Sequence, residues 1–243
     1  MFDWGYFCSI LGVLLYNADT NTITKIYDEG YYWRYFKVVG DRCLITGSGS
    51  GILVYNAGDN SCKKIYDNGS NAVYFVEIDD KCLIGASSGS IGILRYSTID
   101  DSCVSVYTGG YGWCSDYVVV GSKVLIGSSA YNMGLLSYDS QTDVVEKTKI
   151  TAGYNWKYNK QITSTKWLIS GTGNSNQGIV LFNSETGSLT KLTNLGKGYD
   201  VYVSDVNNNY IISSSSKTKN SYTLYYTEAT DSITVKKYYL GEI

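Results

Sequence analysis

Neither proline nor histidine occurs anywhere in the 243 residues. Without histidine the chain lacks the side chain that most often serves as a general base or metal ligand near neutral pH. Without proline, turns must rest on Gly, Asn, Asp and Ser, and glycine alone occurs 26 times. Charge is sparse and balanced, with 20 Lys and Arg against 22 Asp and Glu. No basic cluster exceeds a pair, so neither nucleic acid nor an anionic membrane surface is expected as a partner. Long apolar runs are missing too. The most apolar stretch, "FCSILGVLLY" at 7–16, is far too short to span a bilayer. It is preceded by "MFDWGY", which has no basic residue of the kind a signal peptide carries. The stretch is expected to be a strand, in a chain made without a signal peptide.

What the chain does contain is a repeat. "GVLLYN" at Gly12 returns as "GILVYN" at Gly51, "GILRYS" at Gly92, "GLLSYD" at Gly134 and "GIVLFN" at Gly178, with a degenerate "SYTLYY" at Ser221. Successive starts lie 39, 41, 42, 44 and 43 residues apart. A polar turn follows each block, then a short alternating run such as "TITKIY" or "SCKKIY". After a Gly-containing loop come an aromatic-led run ("YFKVV", "YFVEI", "DYVVV") and a fourth run ("CLITGS", "CLIGAS", "VLIGSS", "WLISGT", "YIISSS"). Four short strands per repeat of about 40 residues, with no helical period, is the pattern of a β-propeller blade. Naming the strands from the inside outward in the usual propeller order, the aromatic-led run is A, "CLI" is B, "GIL" is C and "KKIY" is D.

Six C–D hairpins but only five A–B pairs are present, and residues 1–11 must supply whatever completes the "GVLLYN" blade. The expected fold is therefore an all-β, six-bladed β-propeller with a thin first blade, occupying residues 1–243 as a single domain. Five blades plus an extra hairpin is the alternative. The thin blade is a place where an assembly partner could dock.

The repeat resembles the small propellers of tachylectin-like lectins and the propeller repeats of phage virion and gut-bacterial surface proteins, over essentially the whole chain. That resemblance implies a carbohydrate-binding or structural protein, associated with a virion or a cell surface. The "GH…WD" text of WD-type blades is absent.

The same alignment places the cysteines. Cys43 and Cys82 open strand B where other repeats have Val124, Trp167 and Tyr210; Cys62 and Cys103 sit in strand D opposite Ile23, Val145, Leu189 and Ile233. Positions shared with aliphatic and aromatic residues are packing positions. Cys43 and Cys62 share a blade but are separated by strand C, about two strand spacings apart, beyond disulfide reach. Six free thiols are expected, Cys8 and Cys114 being the least determined, which suits a reducing cytoplasm. No C-x-x-C is present for zinc, and no metal or cofactor is expected. The Gly-rich stretches "TGSGSG" and "GTGNSNQG" read as B–C loops, because neither ends in Gly-Lys-Ser/Thr nor opens a helix.

The candidate functional surface lies where a thrice-written motif ends the D-to-A crossover: "GYYW" at 30–33, "GYGW" at 110–113 and "GYNW" at 153–156. The aligned aromatic position reads Trp33, Ala72, Trp113, Trp156 and Tyr199. The next reads Arg34, Val73, Cys114, Lys157 and Asp200, and two further on stand Phe36, Phe75, Asp116, Asn159 and Tyr202. Aromatics beside Arg34, Lys157, Asp116 and Asp200 could form a shelf for a glycan or a protein loop. Equally, the repeated tryptophans could be wedges between blades. A non-catalytic binding module is the first expectation. The alternatives are a propeller lyase or glycoside hydrolase using Asp116, Asp200, Glu77 and Tyr202, and a structural subunit of a larger assembly.

Overall fold

The computed structural model is all-β apart from one short 3-10 turn at Glu228–Thr230. It describes residues 12–30, 32–68, 71–89, 91–130, 133–150, 154–172, 179–193, 200–206, 209–215 and 221–238. The first sheet pairs β1 (Val13–Asn17) with β2 (Thr22–Tyr27). The second runs β3 (Trp33–Val39), β4 (Arg42–Gly47), β5 (Ile52–Asn56), β6 (Ser61–Tyr66), and the third β7 (Ala72–Ile78), β8 (Lys81–Ala86), β9 (Ile93–Ser97), β10 (Cys103–Tyr107). The fourth holds β11 (Trp113–Val120), β12 (Lys123–Ser128), β13 (Leu136–Asp139) and β14 (Val144–Lys147). The fifth holds β15 (Tyr154–Gln161), β16 (Lys166–Thr172), β17 (Ile179–Asn183) and β18 (Ser188–Thr193). The sixth is β19 (Asp200–Val206), β20 (Asn209–Ser215), β21 (Ser221–Thr227) and β22 (Ser232–Tyr238). In every four-stranded sheet the spatial order is the chain order. Six C–D hairpins and five A–B pairs are thus present among the described residues, as the repeat text predicts. Residues 1–11, expected to complete the first sheet, lie outside the described residues.

The chain divides into two compact units, Met1–Cys114 and Ser115–Ile243. Within each, apolar residues from neighbouring sheets form the core. In the first unit, Val39, Leu44, Ile52 and Val54 of the second sheet pack with Ala72, Cys82, Ile84, Leu94 and Tyr96 of the third. In the second unit, Val118 and Leu125 of the fourth sheet meet Trp156, Trp167, Ile169, Val180 and Phe182 of the fifth. Strands buried on both faces need apolar residues at consecutive positions, which is why strand C reads "GILV" rather than strictly alternating. The first sheet differs: Leu14 is 40% exposed, whereas its repeat equivalents Leu53 and Leu94 are fully buried.

The C–D hairpins share a device. The Tyr that ends the apolar block sends its hydroxyl to the side chain five residues on: Tyr16 to Asn21, Tyr55 to Asn60, Tyr96 to Asp101, Tyr138 to Asp143 and Tyr226 to Asp231, at 2.6–3.0 Å. Each acceptor residue has a positive φ, between 46° and 58°, the left-handed region that Asn and Asp tolerate best among residues with a side chain. The fifth hairpin has Phe182, with no hydroxyl, and Gly187 at φ 65° in place of the acceptor. Tyrosine goes with Asn or Asp, phenylalanine with Gly.

The acceptors also tie neighbouring sheets together. Arg42, the first residue of β4, meets Asp101 of the next sheet at 3.1 Å, and Lys63 reaches the other oxygen at 3.1 Å. In the second unit Lys166, the first residue of β16, contacts both oxygens of Asp231 at 2.9 Å.

The cysteines occupy the expected positions. Cys43 and Cys62 flank Tyr55 in register, with strand C between them. Cys43, Cys62, Cys82, Cys103 and Cys114 are free thiols, and Cys8 lies outside the described residues. Burial pushes the thiols up, Cys62 to about 11 and Cys82 and Cys103 to about 12. They are protonated near neutral pH and behave as small hydrophobes, not nucleophiles. Cys114 is 2% exposed.

Candidate functional site

The Gly, the x and the Trp of Gly-Tyr-x-Trp each have a physical cause. The indole of Trp113 is fully buried, packs edge-on to Tyr107 at 5.6 Å and 83°, and donates its N–H to the Gly109 carbonyl at 3.1 Å. Trp33 repeats the geometry half-buried: edge-on to Tyr27 at 6.0 Å and 88°, with its N–H on the Glu29 carbonyl at 3.1 Å. The tryptophan therefore folds back over its own crossover. The glycine makes room, since a Cβ at Gly30 would lie 2.8 Å from the Trp33 ring. The residue before this position, Trp or Ala72, is left-handed: Tyr32 has φ 57°, Asn71 φ 50° and Gly112 φ 71°. In the second and third sheets the residue after it forms a β-bulge, because Trp33 pairs with Gly47 and Tyr35 with Thr46, leaving Arg34 over, and Val73 is left over in the same way. Lys157 and Asp200, at the same place in the fifth and sixth sheets, pair with Ser170 and Ser215. A bulge re-aims the side chain it carries.

The buried tryptophans press on the preceding sheet. A Cβ at Gly85 would come 2.0 Å from the Trp113 carbonyl, and one at Gly127 would come 2.9 Å from the Trp156 Cβ. Where the repeat has Ala72 instead, the strand B position holds Thr46, which is buried and donates its hydroxyl to the Ala72 carbonyl. Small faces large in two repeats, and larger faces small in the third.

These contacts locate the predicted site residues. Trp113 and Trp156 have no exposed surface and pack as wedges, Trp156 in the core of the second unit with its ring N–H buried and unpartnered. Trp33 is half-buried and Arg34 exposed. The Arg34 guanidinium stacks on the Tyr32 ring at 5.0 Å from its centre. Asp116 is half-buried on β11. Asp200 opens β19 and pairs with Ser215 along the backbone; its side chain and that of Lys157 lie outside the described residues, as does Tyr199. Of the four residues considered for catalysis, Glu77 is ion-paired with Lys37 and the Tyr202 side chain lies outside the described residues. Among the described residues no group of three or more His, Cys, Asp or Glu side chains could hold a metal, and no helix is long and apolar enough to cross a membrane.

Sequence reasoning passed over Tyr32, which is 45% exposed. Its signal was available: the position before the tryptophan reads Asn71, Gly112 and Asn155 elsewhere, residues suited to positive φ, and Tyr32 is the odd one out.

No protein-family model and no curated protein matches the sequence. Solved structures do resemble the fold. A chain in the crystal structure of the mitotic checkpoint complex aligns over 92% of this chain and 70% of its own length, with a TM-score of 0.50 and 12% identity. The computationally designed Ika8 protein aligns over 90% of this chain and 75% of its own, with a TM-score of 0.51 and 9% identity. The fold is a β-propeller. Its four-stranded sheets are propeller blades, and likeness at this level of identity establishes the fold alone.

Proposed function

We propose that this propeller is a non-catalytic interaction module that binds a protein partner at the end of its blades carrying the D–A crossovers. One observation carries the reading: in the first unit Tyr32, Arg34, Tyr35 and Phe36 are consecutive or near-consecutive and all exposed, beside half-buried Trp33. Exposed aromatics next to an arginine are the composition of binding hot spots rather than of ordinary surface. Asp116, Lys157, Tyr199 and Asp200 stand at the corresponding repeat positions of the second unit and extend the candidate set.

The test is affinity capture from the native source by the wild-type chain and by a variant carrying Arg34→Glu and Phe36→Ser. A partner held by the first and released at least about tenfold by the second, with the unfolding midpoint unchanged, supports the reading, tenfold corresponding to about 1.4 kcal/mol. A glycan array probed with the same two proteins covers the carbohydrate alternative. Depolymerisation of any arrayed glycan would replace the binding reading with an enzymatic one.

A further inference from the structure

Resting on that reading, we infer that Tyr32 and Arg34 form a built anchor for a carboxylate, and that the ligand is an acidic segment of a partner protein. The repeat supplies the internal standard. The positions flanking the tryptophan read Asn71 and Val73, Gly112 and Cys114, Asn155 and Lys157, and Gly198 and Asp200 in the other blades. The first member is a residue that tolerates left-handed backbone in every blade but one. Tyr32 holds φ 57° with a bulky side chain, at an intrinsic cost that Asn or Gly would reduce. The side chain is not a core residue: it is 45% exposed.

What the tyrosine does is support Arg34. The two side chains leave the strand two residues apart, on either side of the Trp33 wedge, one at the left-handed position and one at the bulge. They meet with the guanidinium 5.0 Å from the ring centre. Stacking on an aromatic face fixes the plane of the guanidinium and leaves its edge, with its fork of N–H donors, available to a carboxylate. Among the described residues no carboxylate pairs with Arg34, although the cations nearby on the same sheet are taken: Lys37 by Glu77, Arg42 by Asp41 and Asp101, and Lys63 by Asp101. An oriented, exposed cation without a counter-ion among the described residues, beside exposed Tyr35 and Phe36, complements an Asp or Glu flanked by apolar residues. Tyr32 is a positioning residue, and Arg34 the residue that touches ligand.

The experiment is selection of a displayed random heptapeptide library on the intact chain, followed by titration of the enriched peptides against variants. Enrichment of Asp- or Glu-containing peptides is expected, with affinity falling about 10–100-fold in Arg34→Gln, the scale of a hydrogen bond to a charged group. Arg34→Lys should rescue only in part, since an ammonium keeps the charge and loses the stacked plane. Tyr32→Asn should weaken the same peptides while raising the thermal midpoint by about 2–4 °C, as relief of roughly 1 kcal/mol of backbone strain would. Enriched peptides without acids, or acidic peptides held equally by Arg34→Gln, overturn the anchor and leave the wider interaction surface standing. A lowered midpoint in Tyr32→Asn overturns it too, by showing that the tyrosine serves packing. No enrichment at all, or Arg34-dependent binding of acidic sugars on an array in place of peptides, overturns the assignment to a protein segment; the capture experiment above then judges the interaction module separately.

Discussion

The two ends of the blades obey different rules. At the C–D turns, five of six hairpins bind a tyrosine hydroxyl to a left-handed Asn or Asp, and the sixth drops both partners together. At the D–A crossovers the backbone path recurs while the side chains do not: Tyr32, Asn71 and Gly112 share one left-handed conformation with three different surfaces. The first end is what any blade needs to close its outer hairpin and hold its neighbour. The second keeps only the wedge and leaves the flanking positions free to vary, which is the behaviour of a scaffold carrying variable loops. Repetition marks the parts that stabilise, and in the function proposed above departure from it marks the parts that recognise.

The wedge supports the largest predicted effect. Trp113 is fully buried, holds the Gly109 carbonyl and lies against Tyr107. Trp113→Ala should cost about 3–5 kcal/mol, as large-to-small aromatic core changes do, read from a urea unfolding curve. A loss under about 1 kcal/mol would erase the distinction between wedge and flanking residues.

The strand order could be read from the repeat text alone, because four short alternating runs per 40 residues leave few other foldings. So could the separation of Cys43 from Cys62 by strand C, now seen as their common neighbour Tyr55. The role of the tryptophans could not. A recurring aromatic satisfies a wedge and a shelf equally, and only burial separates them. Nor could Ala72 be explained from its own blade, since its compensation, Thr46, lies in the blade before.

That compensation gives the second prediction. Ala72→Trp should destabilise by about 1–3 kcal/mol through overpacking against Thr46, and Thr46→Gly by a comparable amount through the lost hydroxyl bond. Together they recreate the Gly and Trp pairing seen at Gly85 with Trp113. The double variant should therefore recover about 1–2 kcal/mol relative to the sum, measured in a double-mutant cycle. Simple additivity would mean that the two positions are not matched.

Charge at the C–D turn end gives the third. Burial raises the Asp101 carboxyl, but bonds from Tyr96, Lys63 and Arg42 outweigh it and hold the group below its usual range. Lys166 and Tyr226 do the same for Asp231. A carboxyl depressed in the folded state contributes stability that is complete above its unfolded value, about 3.9, and is lost as pH falls through the folded one. Unfolding midpoints should drop on acidification below about pH 4. In Asp101→Asn the drop should be shallower, with roughly 1–2 kcal/mol lost at neutral pH. Asn is the right replacement because Asn21 and Asn60 occupy the same left-handed position and accept the same tyrosine bond. An acid profile left unchanged by Asp101→Asn would show that the charge of this carboxylate is dispensable at this end.

The smallest effect tests whether the hairpin device is one unit. Tyr55 donates to Asn60 at 2.7 Å across the turn, and Asn60 sits at φ 58°. Tyr55→Phe removes the donor and should cost about 1 kcal/mol, the usual net worth of such a bond. Asn60→Gly removes the acceptor and relieves left-handed strain, but it also frees the unfolded chain, so its net cost should be similar or smaller. The fifth blade already carries the double replacement as Phe182 and Gly187, with the hairpin intact and Phe182 buried. The pair Tyr55→Phe with Asn60→Gly should therefore cost less than the two single changes summed, by about 0.5–1 kcal/mol. Equal costs would mean that tyrosine and asparagine act independently, and that their joint absence in the fifth blade reflects no coupling between the two ends of the turn.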